Sequence, residues 1–249
     1  MMRVLLLGGT SDANRMAAVL ADAQIDAIYS YAGRTGAPLQ QPLPTRVGGF
    51  GGAAGLIDYL QRERISHVID ATHPFAVEMS RNACAACTET NTPLIALQRP
   101  PWHQAPGDTW IDVPDISAAV TALPIAPANV FLAIGKQHLP AFQAKSQHTY
   151  TLRIVDPAKS ALPLTHYNTV VARGPFYLED DLNLLRERGI TWIVARNAGG
   201  TGARAKIDAA RILALPVIMI ARPVMPERMS METVEECMAW LTHQTCLGA

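Results

Sequence analysis

The stretch WIVARNAGGTGARAKIDAAR, residues 192–211, predicts a strand, a glycine-rich loop and a helix in direct succession. Residues 192–195 are a β-branched and aromatic run, residues 197–202 contain three glycines, and residues 203–213 have the composition of a helix. In such a unit the N–H groups of the loop and the positive end of the helix dipole face the same point. The stretch therefore predicts an anion site, although the glycines could also serve only a tight turn.

The same succession recurs along the chain. Residues 3–7 are an apolar run that leads into GGTSD at 8–12, and residues 13–23 are helical in composition. Residues 67–71 and 130–134 are further apolar runs that end in turn residues. Because alternating strands and helices are typical of parallel sheets covered by helices, the sequence predicts an α/β protein.

A proline-rich passage over residues 100–106 interrupts this alternation and indicates a domain boundary. We therefore predict two Rossmann-like parallel-sheet domains, an N-terminal one over 1–100 and a C-terminal one over 101–249. We expect a ligand cleft between them. The opening loop GGTSD is not the G-x-G-x-x-G fingerprint, so it does not by itself identify a dinucleotide.

Composition excludes several classes of partner. The chain has 21 basic and 21 acidic residues and no formal net charge, which predicts binding neither to nucleic acid nor to a membrane surface. No apolar run has the length of a signal peptide core or a membrane span, so we expect a cytoplasmic protein. Cys84 and Cys87 are followed by no second pair of ligands, so we predict no metal site.

Basic residues recur directly after the predicted strands, at Lys136, Arg173, Arg196 and Arg222. Arg34 follows the strand 27–31, where a Rossmann domain that binds NAD would place an acid for the ribose. Arg34 therefore suits an anion, either a 2′-phosphate or a substrate carboxylate. The recurrence predicts a polyanionic ligand, or two ligands held at once.

Hydroxyl and imidazole groups also follow strands. Thr10 and Ser11 could bind an anion or a carbonyl, although Ser11 or Asp12 could simply cap the next helix. Thr72 and His73 come at the carboxyl end of a strand, where ligands bind in such sheets. His73 could donate a proton or a hydrogen bond near neutral pH, or it could only orient the turn that follows.

Three motifs together carry a resemblance to a known family. GGTSDA at 8–13, DATHPFA at 70–76 and NAGGTGARAK at 197–206 resemble the precorrin-6A reductase family of cobalamin biosynthesis, in order and over nearly the whole chain. The resemblance implies an enzyme that reduces one double bond of the precorrin-6A macrocycle, or of its cobalt form, with NADPH to give precorrin-6B. It also implies that the cofactor lies between two Rossmann-like domains.

The resemblance also implies roles for single residues. Precorrin-6A carries many carboxylates, which is consistent with local arginines in a neutral protein. The residues that we assign mainly to the cofactor phosphates are Gly135, Lys136, Arg173, Arg196, Asn197, Gly199, Gly200, Thr201 and Lys206. Those that we expect to face the tetrapyrrole are Gly9, Thr10, Ser11, Arg34, Thr72 and His73, with His73 as a proton donor or orienting group.

Two other classes of function remain open from the residues alone. A nucleotide-binding α/β module without redox chemistry would bind NADPH and never oxidise it. A transferase that uses a sugar nucleotide would bind a nucleoside diphosphate with no preference for nicotinamide, and the lack of an acidic metal-binding cluster counts against it.

Overall fold

The computed structural model describes residues 2–33, 38–158 and 160–246. The chain divides into two compact units. The first unit contains the residues up to Pro100 together with those from Val224 onward, and the second contains Pro101–Pro223. Each unit is described by itself below.

Strands and helices alternate along most of the chain. The strands are β1 (Val4–Leu7), β2 (Ala27–Tyr31), β3 (Thr45–Val47), β4 (His67–Asp70), β5 (Leu94–Leu97), β6 (Thr109–Val113), β7 (Asn129–Ala133), β8 (Thr149–Ile154), β9 (Tyr167–Val171), β10 (Trp192–Arg196), β11 (Pro216–Ile220) and β12 (Ser230–Met231). The helices are α1 (Ser11–Asp22), α2 (Gly52–Arg62), α3 (Val77–Glu89), α4 (Ile116–Ala122), α5 (Leu178–Glu187), α6 (Ala205–Ile212) and α7 (Val234–Cys246), and a 3₁₀ helix covers Lys136–Lys145.

The sheet of the first unit has the strand order β3-β2-β1-β4-β5-β12, and all of its pairings are parallel. This is the order of a doubly wound Rossmann sheet. The direction of strand addition reverses between β1 and β4, so the loops after these two strands lie at the topological switch point. Ligands bind at that point in open α/β sheets.

The sheet of the second unit has the corresponding order β9-β8-β7-β10-β11-β6, again with parallel pairings, except that its outer strand β6 comes first in the unit instead of last. Its switch point lies between β7 and β10, the strand that begins the stretch quoted at the outset. The prediction of an α/β protein with two parallel sheets is confirmed. The ligand cleft between the units stays a prediction.

The outer strand β12 corrects the predicted domain limits. Ser230 and Met231 pair in parallel with Ala96 and Leu97 of β5, and α7 packs Trp240 into the core of the first unit. The predicted C-terminal domain, 101–249, therefore includes a final segment that the structure places with the first sheet. The reason is that a two-residue strand carries almost no sequence signal, and only the free edge of β5 determines where it pairs.

Burial of the central strands on both faces explains why they read as apolar runs. In β1, Val4 and Leu6 belong to the cluster formed with α1 and α7, whereas Leu5 and Leu7 belong to the cluster formed with α2 and α3. All four side chains are at most 1% exposed. A strand covered on both faces must be continuously apolar, so its pattern does not alternate.

In the part of the chain that the structure describes, no helix combines the length and the apolar content needed to cross a bilayer.

Candidate functional site

Thr10 joins the two loops at the switch point of the first unit. Its Oγ1 accepts from the backbone N–H of Ala13 at 3.0 Å and donates to the carbonyl oxygen of Ala71, after β4, at 2.8 Å. Thr10 is thus the N-cap of α1, whereas the sequence suggested Ser11 or Asp12 for that role. The Thr10 hydroxyl serves the loop itself, while Ser11 is exposed.

A buried tyrosine determines the shape of the same loop. A Cβ on Gly8 would lie 2.2 Å from Cζ of Tyr29, so only glycine fits beside the ring. The N–H of Gly9 donates to Tyr29 Oη at 2.8 Å, and Tyr29 Oη donates to Asn14 Oδ1 at 2.8 Å. The Gly9 N–H is therefore used within the protein instead of being presented to an anion.

Asp12 places a carboxylate in the first turn of α1. It is 8% exposed and pairs with Arg99 and with Arg15, the latter at 2.7 Å. Burial raises the pKa of Asp12, but the hydrogen bonds and charges of Arg99 and Arg15 outweigh it, so that the pKa lies below the ordinary value. The ionised carboxylate thus takes the place at the positive end of the α1 dipole that an anionic ligand could otherwise occupy.

Asp70, the last residue of β4, is the centre of a buried network. Its Oδ1 accepts from the N–H and the hydroxyl of Thr72 at 3.1 and 2.6 Å. Its Oδ2 accepts from the Ser80 hydroxyl at 2.6 Å and from Nη1 of Arg228 at 2.7 Å. The side chains of Arg228 and Asp70 are 8% and 1% exposed. The conformation of the β4–α3 loop thus depends on an arginine that lies 158 positions further along the chain.

His73 lies half-buried in the same loop. Its Nδ1 accepts from the backbone N–H of Phe75 at 3.2 Å, and the two rings are 5.7 Å apart. In the neutral imidazole the proton is therefore on Nε2, which makes Nε2 a hydrogen-bond donor. This geometry fits the orienting role considered for His73, because Nδ1 holds the turn, and the role of His73 as a proton donor stays a prediction.

Arg34 lies outside the described residues. A different arginine, Arg46 in β3, stands at the carboxyl ends of β2 and β3. It donates to Ser30 Oγ at 2.7 Å and to the carbonyl oxygen of Gly49 at 3.1 Å, and its guanidinium stacks 3.8 Å from the centre of the Phe50 ring. Sequence reasoning missed Arg46 because a basic residue in a short, exposed strand has the pattern of an ordinary surface position.

In the second unit, two of the predicted basic residues converge on one aspartate. Lys136 Nζ donates to the carbonyl oxygen of Asp156 at 3.0 Å, and Arg173 lies 3.7 Å from the Asp156 carboxylate. The three residues follow the neighbouring strands β7, β8 and β9. The structure therefore brings Lys136 and Arg173 together beside the switch point of this sheet, next to Gly135.

The loop after β10, residues 197–203, is named the glycine-rich loop here. Gly199 and Gly200 have φ values of +68° and +67°, a region that glycine adopts without steric penalty. Arg196 precedes the loop and is half-buried, and Thr201 within it is exposed. The strand, the loop and the helix follow one another as the sequence predicted, and the binding of a phosphate by these residues stays a prediction.

Asn197 and Lys206 also support the loop from within. The Asn197 side chain pairs with the backbone of Trp102, and Lys206 donates to the carbonyl oxygen of Ala203. Lys206 is 7% exposed, and its Nζ lies 5.1 Å from the centre of the Trp102 ring. Both side chains therefore have structural partners behind the loop, and their contact with a phosphate stays a prediction.

Comparison with known proteins shows the family of the chain. A family model described as "Precorrin-6x reductase CbiJ/CobK" matches residues 3–242. The chain belongs to this family. The resemblance carried by the three motifs of the sequence is thereby confirmed.

Individual members of the precorrin-6x reductase family are similar over nearly their whole length. A protein of Rhodobacter capsulatus named "Precorrin-6A reductase" is 60% identical over 97% of this chain and 96% of its own length. A protein of the same name from Sinorhizobium sp. is 47% identical over 88% of this chain and 85% of its own. A solved structure titled "CobK precorrin-6A reductase" has a TM-score of 0.96 at 59% identity and covers 98% of this chain and 97% of that one.

The structure adds residues to which sequence reasoning gave no individual role. Each is a charged or aromatic side chain that meets a loop at a switch point from a distant part of the chain, and together they are Arg99, Trp102, Arg222 and Arg228. Arg222 was noted only as one of the basic residues after strands. The feature of the sequence that could have indicated them is their position, because they flank the two places where the chain passes between the units, after Pro100 and after Pro223.

Proposed function

We propose that the chain is a precorrin-6A reductase, which reduces one double bond of the precorrin-6A macrocycle to give precorrin-6B in cobalamin biosynthesis, with NADPH as the reductant. The observation that carries the proposal is 60% identity to a protein of that name over 97% of the chain. These relatives are named as reductases. They favour neither a nucleotide-binding module without redox chemistry nor a sugar-nucleotide transferase. Five relatives named for the ring without cobalt are 40–60% identical to this chain, whereas three named for the cobalt form are 26–30% identical, which favours the ring without cobalt as substrate.

The donor groups of the glycine-rich loop fit the phosphates of NADPH. Two successive glycines with positive φ allow an anion to approach the backbone closely, and Arg196 lies beside them. Lys136 and Arg173 form a second basic pair near the same edge of the sheet. When bound, NADPH supplies the hydride for the reduction.

The first unit offers fewer unused groups to a phosphate than the second. The Asp12 carboxylate already lies at the positive end of the α1 dipole, and the Gly9 N–H is already bonded to Tyr29. Ser11 and Thr72 instead place polar groups in the two loops at the switch point, the second of which carries His73, and we assign these three residues to the substrate. The assignment of phosphates to the second unit and of the macrocycle to the first rests on this difference.

The protein contributes mainly position and exclusion of water. An electron-poor conjugated ring needs little acid catalysis, so the donor Nε2–H of His73 has a modest role in orienting the macrocycle or in supplying a proton. Thr72 is held by Asp70, which keeps the loop that carries His73 in one conformation. A rigid loop is what positioning requires, because a small displacement of a reacting group lowers the rate steeply.

The experiment that tests the proposed function is an anaerobic assay of cofactor oxidation. NADPH and NADH are offered separately, each with precorrin-6A and with its cobalt form. We expect NADPH to be oxidised in the presence of precorrin-6A, with precorrin-6B as product. Tight binding of NADPH with no oxidation in the presence of either ring would contradict the reductase function and would favour a binding module.

Replacing His73 by alanine is expected to lower kcat by less than about tenfold. A positioned general acid raises the rate by a larger factor only where the reaction depends on proton transfer, and the reduction of an electron-poor ring depends little on it. His73→Asn is the matched variant, since its Oδ1 can still accept from the Phe75 N–H while no donor takes the place of Nε2. We expect His73→Asn to retain the thermal stability of the native protein. Loss of all turnover in His73→Ala with both ligands still bound would show that the imidazole is essential.

A further inference from the structure

The carbonyl groups of the glycine-rich loop are held by side chains that lie outside it. Arg222 donates from Nε to the carbonyl oxygen of Asn197 and from Nη2 to that of Ala198, each at 3.0 Å. The indole Nε1 of Trp102 donates to the carbonyl oxygen of Gly200 at 2.7 Å. These bonds determine how the peptide groups of the loop are oriented.

The bond from Trp102 has a direct effect on the next N–H group. In a trans peptide the carbonyl of one residue and the N–H of the following residue point in opposite directions. Holding the Gly200 carbonyl towards Trp102 therefore turns the N–H of Thr201 to the opposite side of the loop. Within the described residues, no acceptor takes the Thr201 N–H, so it is available to a ligand on that side.

Trp102 is itself locked in place. Its backbone N–H donates to Asn197 Oδ1 at 2.8 Å, and its carbonyl oxygen accepts from Asn197 Nδ2 at 2.9 Å. The ammonium group of Lys206 lies 5.1 Å from the centre of the indole ring, within the range of a cation–π contact. Trp102 is only 5% exposed, so its indole N–H has little freedom to find another acceptor.

We propose that Trp102 is a positioning residue for the cofactor: its indole N–H holds the Gly200 carbonyl so that the Thr201 N–H points at a phosphate of NADPH. This inference rests on the proposed function, since it needs the glycine-rich loop to bind that phosphate. Trp102 touches neither the cofactor nor the substrate in this role. It acts on affinity for NADPH by keeping the peptide in the binding orientation before the ligand arrives.

The test is the variant Trp102→Phe, which removes the indole N–H and keeps an aromatic ring for Lys206. Loss of this bond leaves the Gly200 carbonyl without its donor and frees the peptide to rotate. We expect the Kd and the KM for NADPH to rise by about fivefold to tenfold, as for the loss of one well-formed hydrogen bond. The KM for precorrin-6A should stay within about twofold of its original value, because the macrocycle does not depend on this peptide.

Trp110→Phe is the matched control. Trp110 lies in β6 of the same unit, and its buried Nε1 has no hydrogen-bond partner among the described residues. The control removes an indole N–H that holds nothing, so the KM for NADPH should be unchanged. An equal rise in both variants would overturn the inference and indicate a general loosening of the second unit.

Failure of the inference and failure of the proposed function give different results. If the native protein neither binds nor oxidises NADPH, the proposed function fails. If the native protein uses NADPH and Trp102→Phe has the same KM for it, or loses only kcat, the positioning role of Trp102 is wrong. Benzothienylalanine at position 102 has nearly the volume of tryptophan and no N–H, and it gives the same test if Trp102→Phe folds poorly.

Discussion

Replacing Arg228 by methionine is expected to destabilise the protein by about 3–5 kcal/mol, because it leaves a buried carboxylate without its charged partner. Asp70 has a side chain that is 1% exposed, and Arg228 donates to it at 2.7 Å. The hydroxyls of Thr72 and Ser80 would remain, but they are neutral. The free energy of unfolding, measured by urea denaturation and circular dichroism, provides the test.

Arg15→Met is the matched control for this effect. Arg15 pairs with Asp12 at the same distance of 2.7 Å, but its side chain is 71% exposed. An exposed ion pair is worth at most about 1 kcal/mol, so we expect a small change in the free energy of unfolding. Equal losses in Arg15→Met and Arg228→Met would show that burial of the second pair does not matter.

A second replacement separates charge from packing. Arg228→Met combined with Asp70→Asn should be less destabilised than Arg228→Met alone, because a neutral amide is less costly to bury without a partner than a carboxylate. Further loss in the double variant would show instead that the Asp70 carboxylate is stabilised mainly by Thr72 and Ser80. Either comparison concerns the loop that carries His73, so the KM for precorrin-6A should be measured on the same samples.

Replacing Gly55 by alanine is expected to destabilise the protein by about 2–3 kcal/mol through overpacking. A Cβ at Gly55 would lie 1.8 Å from the carbonyl oxygen of Phe50 and 2.9 Å from its carbonyl carbon, both backbone atoms. The expected sign is opposite to the usual effect, because alanine in place of glycine inside a helix normally stabilises by about 1 kcal/mol. The loop that must move also carries Phe50, on which Arg46 stacks.

Gly49→Ala is the control for Gly55→Ala. It lies in the same loop, and a Cβ there would meet no atom within 4 Å. We expect its free energy of unfolding to change by less than about 1 kcal/mol. The expected direction is an increase, because alanine lowers the conformational entropy of the unfolded chain. If Gly55→Ala is as stable as Gly49→Ala, the close approach of Phe50 to α2 is not maintained in solution.

The loops at both switch points depend on residues near the two places where the chain passes from one unit to the other, after Pro100 and after Pro223. Arg99 and Trp102 flank the first crossing, and Arg222 and Arg228 flank the second. Within its own unit each of these side chains bonds to the loop at the switch point or to the helix or strand end beside it. Variants in these connecting segments are therefore expected to affect ligand binding and stability together.

The sequence by itself determined the elements and the class of fold. Central strands buried on both faces must be continuously apolar, and glycine-rich turns followed by alanine-rich helices mark the β–α junctions, so both signals are local. The motifs at 8–13, 70–76 and 197–206 were enough to indicate the family. These features depend on neighbouring residues alone.

Only the tertiary structure decided which sheet receives the last strand and what holds the loops. The pairing of β12 with β5 joins segments that local patterns cannot relate. The bonds from Arg228 to Asp70 and from Trp102 to Gly200 span 158 and 98 positions. The path of the folded chain determines such partners. A side chain contacts only groups within a few ångströms in space, and the separation of two residues along the sequence does not indicate that distance.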